Sequence, residues 1–204
     1  VHDLELESAE PAHLRAGLQV SVLSIAWTTS ASIAAVVLGV SAGSLVLVAF
    51  GLTGILDAAG SAALVVHFRH ALHHEVLSER HERLALRVVT LGLFVVGSLT
   101  AAESGRRLVV HPTSHTVPAG VAVAAISIVV LALLSTRKRR IARRIPSRAL
   151  LADGWLSATG CLLAVVTVAG TGLSSSFGWW WADPVAAAVV AGGAVGVAVV
   201  MARG

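Results

Sequence analysis

The chain has 204 residues, 56% hydrophobic and only 13% charged, with a net charge of +4 and a mean hydropathy of +0.84. A soluble domain carries about a quarter charged residues, so the composition excludes an ordinary water-soluble protein. The single cysteine, Cys161, excludes an intrachain disulfide and any cysteine-rich metal site.

The few charges are clustered. None occurs between Arg15 and Asp57, between Arg107 and Arg137, or between Asp153 and Asp183. A helix needs about 20 apolar residues to cross a bilayer, and each gap holds at least one such stretch. The pattern predicts an all-α, polytopic membrane protein with six transmembrane helices. Residues 1–15 form an acidic segment without the basic n-region of a signal peptide, expected on the cytoplasmic side. The first span is expected at 16–38, and a Gly/Ser break, "GVSAGS", leads to the second at 45–66. A polar, histidine-rich stretch, "HFRHALHHEVLSERHER", precedes the third at 84–102. Pro112 and Pro118 interrupt the next connection before the fourth span at 119–135. The basic run "TRKRRIARRIPSR" reads as a loop, followed by the fifth span at 149–173. The loop "SSSFGWWWADP" carries tryptophans suited to a membrane–water interface, and the sixth span follows at 184–201, with Pro184 in its first turn.

Six spans put both termini and the connections 2–3 and 4–5 on one side of the membrane. That side holds thirteen of the fifteen basic residues, against Arg106 and Arg107 on the other. The positive-inside rule makes the basic side, with both termini, cytoplasmic. Basic residues placed in this way set orientation and point to the bilayer as partner, with no nucleic acid involved. Fourteen arginines against one lysine, in a chain dominated by Ala, Val, Gly and Leu, read as a GC-rich bacterial genome. The expected location is therefore a bacterial inner (plasma) membrane, multi-pass.

Ionised side chains inside a bilayer are costly and face cavities or partners. Asp57 falls near the middle of the second span, with Thr53 one helical turn before it and Ser61 one turn after, a polar stripe on an apolar helix. It reads as functional, against a packing role as a hydrogen-bonded acid. Asp153 begins a second stripe in the fifth span, continued by Ser157 and Cys161. It reads equally as a ligand and as an acid satisfied near the headgroups by arginines such as Arg148. Glu103 precedes Arg106 and Arg107 at the spacing of helix-surface ion pairs, a structural reading. Asp183 before Pro184 fits an N-cap of the sixth helix.

His67, His70 and His74 fall on one face of a helix extending into the cytoplasm, with His73 off that face and His81 further on. Imidazole suits zinc, copper and nickel, so the i, i+4 pair His70 and His74 is a candidate entry site for metal. A solvated interfacial helix is the alternative. His111 and His115 read as ordinary loop residues. No nucleophile–base pair and no zinc-hydrolase motif is visible, so an enzyme is not expected.

These residues resemble a family. The second span, "SAGSLVLVAFGLTGILDAAGSAALV", resembles that of the cation diffusion facilitators, also called cation efflux proteins. "ESGRRL" at Glu103–Leu108, "SRALLADGWLSATG" at Ser147–Gly160 and "WADPVAAAVVAG" at Trp181–Gly192 resemble the end of that family's third helix and the starts of its fifth and sixth, in the same order. The likeness covers roughly residues 15–202. It implies six spans with cytoplasmic termini and export of a divalent cation, most often zinc, in exchange for protons. It also implies a four-ligand site, two side chains from the second helix and two from the fifth. Those positions fall on Thr53, Asp57, Leu156 and Gly160, so only Asp57 is a standard ligand. The chain ends directly after the sixth span, so it resembles atypical members that lack the family's cytoplasmic C-terminal domain.

The function expected from the sequence is thus a membrane transporter of a divalent cation, zinc first, by proton-coupled alternating access. Its metal-site residues would be Asp57, Asp153, Thr53, Ser157, His70 and His74. No tightly bound cofactor is expected, only the transported cation. A homodimer is implied by the resemblance, resting on transmembrane contacts that small residues such as Gly92 and Gly97 would permit. The alternative is a non-transporting interaction or assembly subunit that keeps the carrier scaffold and has lost the metal site.

Overall fold

The computed structural model describes residues 2–72, 79–110, 118–144 and 148–203. They form six helices: α1 (His2–Ala42), α2 (Leu45–Leu72), α3 (Glu79–Val110), α4 (Pro118–Arg144), α5 (Arg148–Phe177) and α6 (Ala182–Arg203). Each predicted span lies within one helix, and the helices run on beyond them. Among the described residues, five helices are long and apolar enough to cross a membrane, through the stretches Gly17–Ala42, Leu45–Ala62, Pro118–Arg143, Asp153–Phe177 and Ala182–Val200. α3 holds the third predicted span, several of whose side chains lie outside the described set.

The packing is inverted relative to a soluble protein. The interior is mostly Ala, Ser and Thr, including Ala35, Ala164, Ala187, Ser21, Ser24, Ser127, Ser157 and Thr167, with a few larger residues such as Val46, Leu47 and Val190. The exposed surface is Val, Leu, Ile and aromatic residues, among them Val37, Leu99, Leu162 and Val200. Lipid rewards apolar surface, and helices inside it associate through close contact of small side chains. Hydroxyls survive in the dry interior by returning hydrogen bonds to their own helix: Thr53 Oγ1 donates to the carbonyls of Ala49 and Phe50, and Thr167 Oγ1 to that of Leu163.

α1, α2, α4 and α5 form a ring, with α1 against α2 and α4, and α5 against α4 and α2. α6 lies against α2 and α5, and α3 packs along α6 and α2. The α1–α2 contact is close because Gly51 presents no side chain. A Cβ there would lie 2.6 Å from the Ser32 carbonyl oxygen and 2.9 Å from the Val36 nitrogen. Gly92 and Gly97 are used inside the subunit: a Cβ at Gly92 would meet Leu56 of α2, and one at Gly97 would meet Val195 and Ala191 of α6.

One end of the bundle is closed by polar ties. α1 ends at Gly43, whose positive φ of 65° lets the chain reverse into α2 with the amide of Ser44 bonded to the Gly39 carbonyl. The Asp183 carboxylate does not cap its own helix. It accepts from the Ser44 hydroxyl and from the Leu45 amide at 2.8 Å, capping the first turn of α2 from the neighbouring α6. Free amides at a helix start attract a carboxylate wherever it comes from, and α6 begins early enough to place Asp183 beside α2. Arg107 donates to the Gly43 carbonyl and Ser104 to that of Pro184. Glu103 binds Arg106 Nη2 at 2.6 Å and Arg107 Nε at 3.1 Å, the helix-surface pairing expected from spacing. Trp179, Trp180 and Trp181 sit half-exposed at this same end, Trp179 stacked on Trp181.

Candidate functional site

Between the two ends, all six helices line a cavity of about 50 Å³. α2 turns Phe50, Thr53, Gly54 and Asp57 toward it. Their spacing of three and four residues is the helical repeat, so one face of α2 supplies the whole wall. α5 contributes Leu156, Thr159 and Gly160, α1 contributes Trp27, Thr28 and Ser32, and α4 contributes Ser127. The four positions where the resemblance places a metal site, Thr53, Asp57, Leu156 and Gly160, therefore meet around one space. Asp57 is the sole ionisable side chain among the lining residues.

Three buried polar atoms of residues on this wall have no hydrogen-bond partner among the described residues: Asp57 Oδ1, Trp27 Nε1 and Thr28 Oγ1. A buried polar atom left unpaired costs about 1–3 kcal/mol, and native structures hold few of them. Three such atoms lie around one cavity. The donor set is oxygen-rich: one carboxylate and the hydroxyls of Thr28, Ser32, Thr53, Ser127 and Thr159. Among the described residues no group of three or more His, Cys, Asp and Glu side chains could enclose a metal. A cation here would be held by Asp57, by hydroxyls and by its own retained water.

Asp153 and Ser157 belong to a neighbouring cluster, one helical turn away. Asp153 Oδ2 lies 2.7 Å from Lys138 Nζ, and both side chains are buried. Lys138 Nζ also donates to Ser24 Oγ at 2.8 Å and Ser157 Oγ at 3.0 Å. Ser61 Oγ donates to Asp153 Oδ1 at 2.6 Å. The arginine partner considered for Asp153, Arg148, has a side chain outside the described set; the partner the structure shows is Lys138. The basic run expected as a loop after residue 135 instead continues α4 to Arg144, which carries Lys138 into the interior while Arg140 and Arg143 stay exposed. Beside it, Arg139 lies 4.8 Å from the centroid of the Trp155 ring, a cation–π contact at the same end.

Cys161 is half-buried outside the cavity wall, its Sγ donating to the Ile128 carbonyl. His74 lies outside the described residues, and so does the side chain of His70.

A family model described as the cation efflux transmembrane domain matches residues 21–203, nearly the whole chain. No curated protein matches it.

Proposed function

The chain belongs to the cation efflux family of membrane cation transporters, and on that premise we propose that it carries a divalent cation through the cavity at Asp57, with zinc the first cargo to test. The observation that supports this is Asp57, with a buried oxygen unpartnered among the described residues, in the wall of a mainly apolar space that all six helices reach and to which five Ser and Thr residues contribute. Asp57 is the principal ligand and Thr53, one turn away, a neutral oxygen beside it. Asp153 and Ser157 serve as a second station, and His70 with His74 as entry ligands at the cytoplasmic mouth.

A site with one carboxylate binds weakly, since zinc prefers four protein ligands when it is held permanently. Weak binding suits a carrier, which releases its cargo each cycle. The exchanged ion is a proton: a lone carboxylate in a low-dielectric cavity holds either a cation or a proton, and the two compete for the same oxygens. Alternating access opens the cavity first to the cytoplasm and then to the other side. The basic excess sets the termini and the Lys138 end in the cytoplasm, in a bacterial plasma membrane, and two copies of the chain associate through their lipid-facing surfaces.

The test is cation uptake by proteoliposomes. Wild-type protein carries Zn²⁺ down an imposed pH gradient, and Asp57→Asn reduces the flux to that of empty liposomes. Equal flux from both proteins would move the site elsewhere. Absence of flux for zinc, cadmium, cobalt, manganese and iron would leave a scaffold without transport.

A further inference from the structure

The Lys138 cluster has the make-up of a cation site. Lys138 is the only lysine in the chain. Its ammonium is enclosed by three oxygens from two other helices: Asp153 Oδ2 and Ser157 Oγ of α5, and Ser24 Oγ of α1. Ser61 of α2 fixes the second carboxylate oxygen. A buried charge is costly unless fully paired, and a tie between α4 and α5 already exists in the neutral bond from Ser135 Oγ to the Gly154 carbonyl at 2.8 Å. The charged pair adds something that the tie does not need: a carboxylate and two hydroxyls converging on one positive centre.

Its place relative to the cavity is equally specific. Ser24 is one turn from Thr28, Ser61 one turn from Asp57, and Ser157 is adjacent to Leu156. Three helices that wall the cavity thus send their next polar residue into the cluster, on the side where the basic residues of α4 lie.

The geometry points to a second cation site, formed by Asp153, Ser157 and Ser24, in which the Lys138 ammonium stands where a divalent cation stands during passage between Asp57 and the cytoplasmic end. An arriving cation takes the Asp153 oxygens and the ammonium swings out on its four-carbon stem toward the headgroups. No covalent bond changes; a tethered single charge is replaced by a mobile double one. The ammonium thereby keeps Asp153 paired whenever cargo is elsewhere and prevents cargo from resting there. The role as a passage site rests on the transport reading above; the site itself is tested without transport.

Because Lys138 is the sole side-chain amine, a small amine-acylating reagent reports on it alone, with the N-terminal product separated by peptide mass. In the wild-type full chain in lipid nanodiscs, millimolar Zn²⁺ or Mn²⁺ is expected to speed acylation of Lys138 at least fivefold. Asp153→Asn should raise the cation-free rate and abolish the response to either cation. Rates unchanged by both cations in the wild type would overturn the second site. A binding measurement covers the case of a variant that folds poorly: with the cavity site removed by Asp57→Asn, the further change Lys138→Gln is expected to tighten Zn²⁺ binding at least tenfold by calorimetry. An unchanged isotherm in the folded double variant would overturn the proposal as well. Asp57-dependent flux without a Lys138 response leaves the transport reading standing and removes this one, and a Lys138 response without flux does the reverse.

Discussion

Asp57 and Asp153 sit in the same interior, joined through α2 by Ser61, one turn beyond Asp57 and bonded to Asp153. Asp153 Oδ2 is ion-paired with the Lys138 ammonium, though outside hydrogen-bond geometry, and Oδ1 accepts from the Ser61 hydroxyl, whereas Asp57 Oδ1 is buried with neither a hydrogen bond nor an ion pair among the described residues. A carboxylate whose charge is answered inside the fold stabilises it, and one whose charge is left open is held at a cost that only a ligand recovers. The two acids therefore divide the work: one fastens the helices at rest, and the other receives the cation.

The sharpest way to break this comparison is to neutralise each acid in turn. Asp153→Asn leaves Lys138 buried without its counter-charge and is expected to cost about 3–5 kcal/mol, the usual penalty for halving a buried pair. Asp57→Asn removes an unpartnered acid, so the unfolding midpoint in detergent should stay the same or rise. Equal losses from the two variants would erase the distinction. A smaller contrast comes from the hydroxyls. Ser61→Ala gives up a bond to a charged group and should cost about 1.5–3 kcal/mol, while Thr28→Val in the cavity wall gives up no bond among the described residues and should leave the midpoint unchanged or raise it. Both are read from denaturant midpoints.

The cavity can also be pushed toward a stronger site. A Cβ at Gly160 meets only the Leu131 side chain, at 3.4 Å, so Gly160→Asp combined with Leu156→His supplies two ligands facing Thr53 and Asp57. Zn²⁺ should then bind at least tenfold more tightly, about 1.4 kcal/mol, by calorimetry, and turnover should fall as release slows. The least effect is expected at the opposite end, where Arg106 and Arg107 hold the Glu103 carboxyl down at about 2. The sign follows from a folded value below the ordinary 4.5: the pairing contributes fully above pH 4.5 and is lost as pH falls through about 2. As a surface pair it is worth at most about 1 kcal/mol, so Glu103→Gln should shift the midpoint slightly at neutral pH and not at all below pH 2.

Much of this arrangement could be read in the residues themselves. The clustering of charges between apolar stretches pointed to six helices, and the four-residue spacing of Thr53 and Asp57 placed both on one face of α2, which the family resemblance turned toward the fifth helix. Helix ends were less legible. The run after Ser135 reads as a basic loop because seven of its residues are charged, yet α4 continues to Arg144 because nothing in the run breaks a helix until Pro146. That hid Lys138. The signal was present in its identity, the one lysine where every other basic residue is arginine, but its partner lies fifteen positions on, in the next helix. Asp183 was misread for a related reason: local sequence shows which helix an acid precedes, and only packing shows which helix's free amides it reaches. The glycines of α3 suggested an outer interface, whereas they serve the contacts with α2 and α6.

The central claim is that cargo binds at the lone open carboxylate. Crystals grown with Zn²⁺ and measured at the zinc absorption edge test it most directly. The account predicts an anomalous peak about 2.0–2.2 Å from an Asp57 oxygen, the ordinary zinc–carboxylate distance, that disappears in Asp57→Asn. A peak that survives this substitution, or one found only away from the cavity, would contradict it.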